Sequence, residues 1–340
     1  MFRHSLVLPR VARWLASAAA LSVAAACATT PSSPEAAMQT PAATPSAATP
    51  GARPPIEVAV TFDDLPAHGP AIPGMSRMAV IESLNATLRK HQMPPAVGYV
   101  NGHHVESRPD EREVLKAWLA AGNQLGSHTW SHANLREVGL DAYLKDIDRN
   151  EPLLAELAGT ADDGRAWKTF RYPYLQEGTD LPSRDTIRKH LFARGYRVAQ
   201  VTIDFGDWAW NDAYARCVAA GNTKAQESLR EGFRKTAVNF LRWADAAGQQ
   251  ATGHRMRHVL LLHAGAFQAQ TLDALLTSYE KAGVRFITLD EALQDPAYAV
   301  DPGVGDTWGS SFLEQLIEGK RVPHPPFPLQ PLDVLDAVCR

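Results

Sequence analysis

A short apolar stretch ends in two adjacent carboxylates at residues 58–64, Val58-Ala59-Val60-Thr61-Phe62-Asp63-Asp64. Its β-branched and aromatic residues predict a buried strand. Two acidic residues directly after such a strand are costly to remove from water unless they pair with a cation or bind a metal ion. We therefore interpret Asp63 and Asp64 as functional, with one carboxylate bound to a metal and its neighbour free to act as a base.

Further short apolar runs alternate with longer amphipathic segments along the chain. This alternation predicts an α/β fold with about seven parallel strands and outer helices, and it favours a distorted (β/α) barrel, with a doubly wound sheet as the alternative. The strand candidates are Ile56–Phe62, Ala96–Asn101, Gln124–Ser127, Lys168–Arg171, Tyr196–Ile203, His258–His263 and Val284–Thr288. The helix candidates are Ser76–His91, Asp110–Ala121, Asp141–Leu157, Ser183–Arg194, Thr223–Ala247 and Gln270–Ala282.

Polar residues follow five of these strand candidates at the same end. The carboxyl ends of parallel strands form one rim in barrels and in open sheets, and active sites form there. We therefore expect side chains from distant parts of the chain to meet in one active site. The residues placed at these ends are Asp63, Asp64, His128, Arg171, Asp204, Asp207 and His263.

Two histidines lie four residues apart in the segment Ser127-His128-Thr129-Trp130-Ser131-His132. On a helical turn this spacing places both imidazoles on one face, where they can hold a divalent ion together with a carboxylate from elsewhere. Such pairs are often only surface or capping residues. The adjacent acids at positions 63 and 64 are what favours a metal site.

Five segments, in this order, resemble the motifs of the polysaccharide deacetylases, also called the NodB-homology family or carbohydrate esterase family four. The resemblance covers residues 56–292 and implies a distorted (β/α) barrel. It also implies one divalent metal ion, usually zinc with cobalt or nickel as alternatives, held by Asp64, His128 and His132. The five segments are Thr61-Phe62-Asp63-Asp64, the His128/His132 pair, Arg171-Tyr172-Pro173-Tyr174, Asp204-Phe205-Gly206-Asp207-Trp208 and Leu261-Leu262-His263.

The resemblance implies a catalytic role for four further side chains. Asp63 would take a proton from the attacking water, and His263 would protonate the leaving group. Arg171 would orient Asp63 and lower its pKa, because a neighbouring guanidinium favours the ionised carboxylate. Asp207 would hold His263 in its protonated form.

Three residues would contact the substrate according to the same resemblance. The backbone N–H of Tyr174 would stabilise the oxyanion, while Trp208 and Leu261 would line the pocket for the acetyl methyl group. One position departs from the family's usual pattern, because Leu175 follows Tyr174 where a glycine is usual. A glycine gives backbone freedom close to the substrate, so the conformation of this loop is an open question.

The N-terminal region has the pattern of an export signal followed by a tether. Three arginines precede an apolar stretch without acidic residues, which ends in small residues before Cys27. This favours a lipoprotein signal peptide at residues 1–26 with a lipid on Cys27, while cleavage at an Ala-x-Ala site and free secretion is the alternative. Residues 27–55, rich in Pro, Ala, Thr and Ser, are expected to form a disordered tether. The expected location is the bacterial periplasm or cell envelope.

Charge and cysteine content limit the partners and the compartment. The chain has 34 Lys and Arg against 37 Asp and Glu, so it lacks the basic surface that nucleic acids require. Membrane contact is expected only through the anchor on Cys27, and the sequence gives no indication of oligomeric state. Cys217 and Cys339 would either form a disulfide in an oxidising compartment or remain two separate buried thiols.

These observations predict a metal-dependent hydrolase that removes acetyl groups from a cell-envelope or extracellular polysaccharide and releases acetate. The acetyl groups would be N-linked or O-linked. Two alternatives are a hydrolase of another non-peptide carbon–nitrogen bond on the same scaffold and a non-catalytic glycan-binding lipoprotein. The catalytic domain is expected at residues 56–299, with a C-terminal extension at residues 300–340 packed on its surface.

Overall fold

A computed structural model describes residues 54–159, 167–305 and 308–340. Its strands are β1 (Ile56–His68), β2 (Val97–Val100), β3 (Gln124–Ser127), β4 (Thr169–Phe170), β5 (Arg197–Val198), β6 (His258–Gly265) and β7 (Val284–Phe286). They form one parallel sheet in the order β5-β4-β3-β2-β1-β6, and β7 also pairs with β1. The predicted signal peptide, Cys27 and all but the last two residues of the predicted tether lie outside the described residues.

The predicted helices are present between the strands, with shifted ends. In the part of the chain that the structure describes, no helix has the length and apolarity needed to cross a membrane. The helices are α1 (Arg77–Lys90), α2 (His103–Ser107), α3 (Glu111–Ala120), α4 (Leu135–Val138), α5 (Leu140–Ala158), α6 (Leu181–Ala193), α7 (Trp208–Ala219), α8 (Thr223–Thr252), α9 (Ala266–Lys281), α10 (Leu289–Leu293), α11 (Phe312–Lys320) and α12 (Leu332–Ala337).

Strand β1 is the central strand of the sheet and is covered on both faces. Val58, Val60 and Phe62 belong to the larger hydrophobic core, whereas Ala59 packs in a second core cluster with Val259 of β6. A parallel strand covered on both sides is apolar at nearly every position, which explains the uninterrupted apolar run in this segment. The run ends where the strand reaches the carboxyl edge of the sheet.

The sheet curls because the chain after β5 returns to β6. The backbone N–H of Ala199 donates to Phe170 of β4, whereas Ile203 pairs with Leu260 of β6 in an isolated bridge. The predicted strand Tyr196–Ile203 is therefore too long, since this segment changes its hydrogen-bonding neighbour partway along. The resulting curled parallel sheet confirms the predicted distorted barrel.

The C-terminal extension contributes to the core. Phe312 and Leu313 of α11 are buried, and α11 begins at a capping box between Ser311 and Glu314. The prediction placed the extension on the surface of the domain, and the structure adds that Phe312 and Leu313 of this extension are buried. Cys217 of α7 and Cys339, after α12, form a disulfide with their Cα atoms 5.1 Å apart, which excludes the alternative of two separate thiols.

Candidate active site

The carboxyl ends of four strands bring the predicted polar residues together. Asp63 of β1 is paired in register with His263 of β6. His128 follows β3, and the N–H of Arg171, after β4, donates to the Ser127 carbonyl at 3.0 Å. The parallel register therefore fixes these four functional groups at one edge of the sheet, as predicted.

Asp64, His128 and His132 form a group that could hold a metal ion, with ligand atoms within 4.8 Å of one another. Oδ1 of Asp64 lies 3.6 Å from Nε2 of His128 and 3.5 Å from Nε2 of His132. Around tetrahedral zinc, with Zn–N distances near 2.0–2.1 Å, neighbouring ligand atoms lie about 3.4 Å apart. The same Oδ1 is buried and makes no hydrogen bond to any described residue. The three residues therefore fit a divalent ion.

The two histidines converge through a loop and not through a helical turn. Residues 128–134 form no helix, and both Thr129 and His132 have positive φ, at 61° and 55°. The imidazole rings nevertheless lie 4.9 Å apart between centroids. Left-handed backbone at non-glycine residues costs free energy and is concentrated at functional sites, which is consistent with a loop shaped for its side chains.

Neighbouring groups prepare both imidazoles to bind a cation. Nδ1 of His128 lies 2.8 Å from the Arg171 carbonyl, so this nitrogen donates its hydrogen and Nε2 keeps a lone pair toward Asp64. Burial lowers the pKa of His128 and of His132 to about 4 each. Both rings are therefore neutral at neutral pH, which is the form that binds metals.

Asp63 is held by the buried guanidinium of Arg171. Nη1 of Arg171 lies 3.0 Å from one carboxylate oxygen and 3.2 Å from the other, and its Nη2 donates to Thr61. Burial nevertheless raises the pKa of Asp63 to about 6, against the opposing effect of Arg171. The expected orientation is present, and Arg171 lowers the pKa of Asp63 as expected, but desolvation of the carboxylate outweighs this effect and makes the net shift upward.

His263 is paired with the fully buried Asp207. Nδ1 of His263 lies 2.7 Å from Oδ1 of Asp207, and Oδ2 accepts the backbone N–H of His263 at 2.8 Å. Gln268 donates to the same Oδ2. Burial opposes a charge on the ring, yet Asp207 raises the pKa of His263 to about 10. The imidazolium is therefore the form present at neutral pH, in agreement with the predicted role of Asp207.

These groups open into a cavity of about 740 Å³. Its lining includes the three predicted substrate-contacting residues, Tyr174, Trp208 and Leu261. Arg171 and Asp207 are not part of the lining and lie behind Asp63 and His263. Asp204 also lines the cavity, where its Oδ1 accepts the Gly206 N–H.

The model of the polysaccharide deacetylase family matches residues 51–199. This segment carries the residues at positions 63, 64, 128, 132 and 171. Residues 51–199 are therefore similar to the polysaccharide deacetylase family. The residues at positions 207 and 263, which complete the candidate active site, lie beyond the matched segment.

Curated relatives include further proteins with deacetylase names. A peptidoglycan-N-acetylglucosamine deacetylase of Bacillus cereus is 30% identical over 152 residues, covering 45% of this chain and 46% of the relative. A chitin deacetylase of Arthroderma benhamiae is 23% identical over 198 residues, covering 58% of this chain and 44% of the relative. The alignments thus span less than half the length of either relative.

Solved structures of a bacterial and a fungal deacetylase are among the matches. The polysaccharide deacetylase Bc1974 from Bacillus cereus has a TM-score of 0.47 and 20% identity, covering 69% of this chain and 91% of that one. A chitin deacetylase from Colletotrichum lindemuthianum has a TM-score of 0.47 and 21% identity, covering 71% and 89%.

The segment around Asp64 contains a further residue, His68, that sequence reasoning left without a role. Nδ1 of His68 lies 2.7 Å from Oδ2 of Asp64, and its ring centroid lies 4.4 Å from that of His263. Burial opposes ionisation of Asp64, but the hydrogen bond from His68 and the imidazoles of His132 and His263 hold its pKa well below the usual value. The only sequence signal was the four-residue spacing, which places two residues on the same side of a strand.

The loop after the third deacetylase motif adopts a backbone that usually favours glycine. Tyr174 and Leu175 both have positive φ, at 56° and 53°. The Tyr174 ring packs edge-on against His132, with centroids 4.5 Å apart. Leu175 thus keeps the left-handed conformation that a glycine would adopt without strain, and the family's usual glycine is replaced without removing Tyr174 from the cavity.

Proposed function

We propose that the protein is a metal-dependent hydrolase that removes acetyl groups from a polysaccharide and releases acetate. The observation that carries this proposal is that one candidate metal-ligand group and two buried polar pairs converge on one cavity. They are the metal-ligand group Asp64, His128 and His132, the buried pair Asp63 and Arg171, and the buried pair Asp207 and His263. The names of the curated relatives support the choice of an acetylated glycan as substrate.

Asp63 is the proposed catalytic base. Its Oδ2 lies 3.7 Å from Nε2 of His128, so the carboxylate is adjacent to the three candidate ligands. Arg171 fixes the carboxylate by contacts to both oxygens. A base in this position can take the proton from a water that attacks the acetyl carbonyl, and a pKa of about 6 suits a base that works near neutral pH.

His263 is the proposed acid. Asp207 holds its Nδ1, so Nε2 is the nitrogen left to donate a proton. Asp63 and His263 are neighbours in register on β1 and β6 and line the same cavity, which supports their action on one reacting group. Protonation of the departing nitrogen or oxygen by His263 makes it a better leaving group.

Asp64, His128 and His132 would hold a divalent ion, which would supply Lewis-acid chemistry to the acetyl carbonyl and to the attacking water. We propose zinc as this ion, with cobalt and nickel as alternatives, because an Asp-His-His set accepts all three. The backbone N–H of Tyr174 is proposed to stabilise the oxyanion. Trp208 and Leu261 are proposed to enclose the acetyl methyl group.

We further propose that the protein works outside the cytoplasm, in the periplasm or cell envelope. The signal-like N-terminus and Cys27 are typical of a lipid-anchored protein, in which a tether joins the anchor to the catalytic domain. The disulfide between Cys217 and Cys339 supports this location, because disulfides persist in oxidising compartments.

Acetate release by the full chain tests the function. The substrates are chitooligosaccharides, peptidoglycan and acetylxylan, each assayed before chelation, after chelation and after refilling with zinc, cobalt or nickel. We expect activity on at least one glycan, its loss on chelation and its return on refilling. Activity that survives chelation contradicts the metal-dependent mechanism, and absence of acetate release from every glycan contradicts the substrate class.

The variant Asp63→Asn tests the role of the base. The amide cannot accept the proton, so we expect turnover to fall by about 10²–10⁴-fold. Metal content, measured by elemental analysis of the purified protein, is expected to equal that of the wild type. A variant with near-normal turnover and normal metal content would remove Asp63 as the base.

A further inference from the structure

We propose that residues 308–332, called here the C-terminal wall, form a binding surface for the sugar units next to the acetylated unit. This inference rests on the proposed function and makes the preferred substrate an extended glycan chain. The C-terminal wall lies outside the segment that matches the deacetylase family. It nevertheless lines the same cavity as Asp63, Asp64 and His263.

The C-terminal wall is held in place by contacts downstream of it and by a contact within it. Downstream, the disulfide of Cys339 fixes the chain to α7, and Arg216 of α7 donates to the backbone carbonyls of Leu335 and Val338. Within the wall, Trp243 of α8 donates to the Pro325 carbonyl at 3.0 Å. These contacts fix the surface before any ligand arrives, so little entropy is lost when a ligand binds.

The wall also packs directly against the motif loops of the active site. The ring of Phe327 lies 4.5 Å from that of Trp243, between centroids, which seats residues 327–330 beside the cavity. The side chain of Gln330 packs so closely on Gly206 that a Cβ at position 206 would lie 3.1 Å from it. A Cβ at Gly309 would lie 3.0 Å from the Tyr174 carbonyl, so glycine permits this close approach of the wall to the third motif.

Several apolar side chains at this cavity are exposed although their backbone is fixed. Leu329 is 90% exposed and Trp308 is 71% exposed. Trp208 and Tyr174, which line the same cavity, are 46% and 50% exposed. Large apolar side chains grouped around a polar catalytic centre mark a ligand-binding groove, because they gain free energy only when a ligand covers them.

The chemistry of this surface fits sugar rings. A pyranose ring presents C–H groups on its faces and hydroxyl groups at its edge, and the flat faces of aromatic side chains complement such a surface. The guanidinium of Arg136 lies 3.3 Å from the centroid of the Trp308 ring, which orients that ring. Gln330 and Asp204 supply polar groups in the same cavity for hydroxyl groups. We therefore assign the glycan itself, and not a protein partner, as the occupant.

The test compares substrates of different length. N-acetylglucosamine oligomers from the disaccharide to the hexasaccharide are assayed with the wild type, with Trp308→Ala, with Leu329→Ala and with the double variant. We expect kcat/KM of the wild type to rise with length. We expect the double variant to lose about tenfold in kcat/KM on the hexasaccharide and to lose less on the disaccharide, which has only one neighbouring sugar unit to contact the wall. Phe192→Ala is the matched control, because Phe192 is an exposed aromatic residue of α6 at 57% exposure and does not line the cavity.

A binding measurement keeps the surface testable apart from turnover. Hexasaccharide binding to Asp63→Asn is measured by calorimetry, with and without the two wall substitutions, and we expect weaker binding when they are present. If the wild type releases acetate but neither binding nor length dependence changes in the double variant, the inference is wrong and the proposed function stands. If the hexasaccharide binds through the wall but no glycan loses acetate, the proposed function is wrong and the surface stands. An equal loss in Phe192→Ala also overturns the inference.

Discussion

The two oxygens of the Asp64 carboxylate have different partners. Oδ2 is 2.7 Å from Nδ1 of His68, whereas Oδ1 faces His128 and His132 and has no hydrogen bond from a described residue. The contact at 2.7 Å is shorter than the separation of about 3.4 Å expected for two ligands of one zinc ion, so Nδ1 of His68 and Oδ2 of Asp64 form a hydrogen bond in this arrangement. One oxygen of the Asp64 carboxylate is therefore fixed by His68, and the other is available to a metal ion.

Replacement of His68 by alanine should weaken metal binding. Loss of the hydrogen bond frees the Asp64 carboxylate to rotate, and loss of such a partner typically lowers metal affinity by about 10–100-fold. The measurement is competition for zinc between the metal-free full chain and a chromophoric chelator. His190→Ala is the matched control, because His190 also lies 2.7 Å from an aspartate and its side chain is 17% exposed against 18% for His68. Equal zinc affinity in His68→Ala and the wild type would contradict this role.

Most of the proposed site could be predicted from the sequence because its residues occur in short motifs. Asp63, Asp64 and His263 each follow an apolar strand, where a polar residue stands out against its neighbours. His68 could not be assigned in this way, since its role depends on a side-chain contact that no composition rule specifies. The net pKa shift of Asp63 also could not be predicted from the sequence, because the degree of burial decides whether desolvation or Arg171 controls that pKa.

The helices and strands were predicted best where the periodicity is long and regular. Helices α1, α3 and α5 lie close to their predicted bounds. Helix α7 was missed because its first residues, from Trp208, were interpreted as part of a motif loop and its aromatic composition resembles a strand. Strand β5 was overestimated because Ala199 and Ile203 bond to different neighbours, which only the curl of the sheet determines.

The contact between α1 and α9 contains a histidine whose effect on stability should depend on pH. His91, at the end of α1, lies 2.7 Å from Glu280 and 2.8 Å from Asp273 of α9, and Lys90 also pairs with Asp273. Burial of His91 opposes its charge, but the two carboxylates raise its pKa. A raised pKa in the folded state means that the stabilisation is fully present below the unfolded pKa, about 6.5, and is lost as pH rises through the folded value.

The variant His91→Gln should therefore remove a stabilisation that the wild type has only at lower pH. Both carboxylates are about half exposed, so we expect a difference in the free energy of unfolding of about 1 kcal/mol or less. Urea denaturation of both proteins on either side of this pH window measures it. The difference is expected to be larger at the lower pH. A difference that is the same at both pH values, or larger at the higher pH, would contradict the assignment to His91.

At the scale of the whole molecule, the active-site cavity combines an N-terminal half that matches a family with a C-terminal part that does not. Asp63, His128 and Arg171 lie within residues 51–199, whereas Trp308 and Leu329 come from the C-terminal wall. The wall has no motif and no clear periodicity, so its position could not be predicted from the sequence. It is set by packing against α7 and α8 and by the disulfide.

The disulfide between Cys217 and Cys339 should contribute strongly to stability because of the length of chain that it closes. The two cysteines are 122 residues apart, and cross-linking a loop of this size restricts the unfolded chain by about 4–5 kcal/mol in the chain-entropy description. We expect reduction by dithiothreitol to lower the free energy of unfolding by about 2–5 kcal/mol, measured by urea denaturation. The double variant Cys217→Ala/Cys339→Ala, which keeps Cys27, should be destabilised without reductant and should not respond to it. A wild type with the same denaturation midpoint in both conditions would show that the bond is absent in solution, and the C-terminal wall would then depend on packing alone.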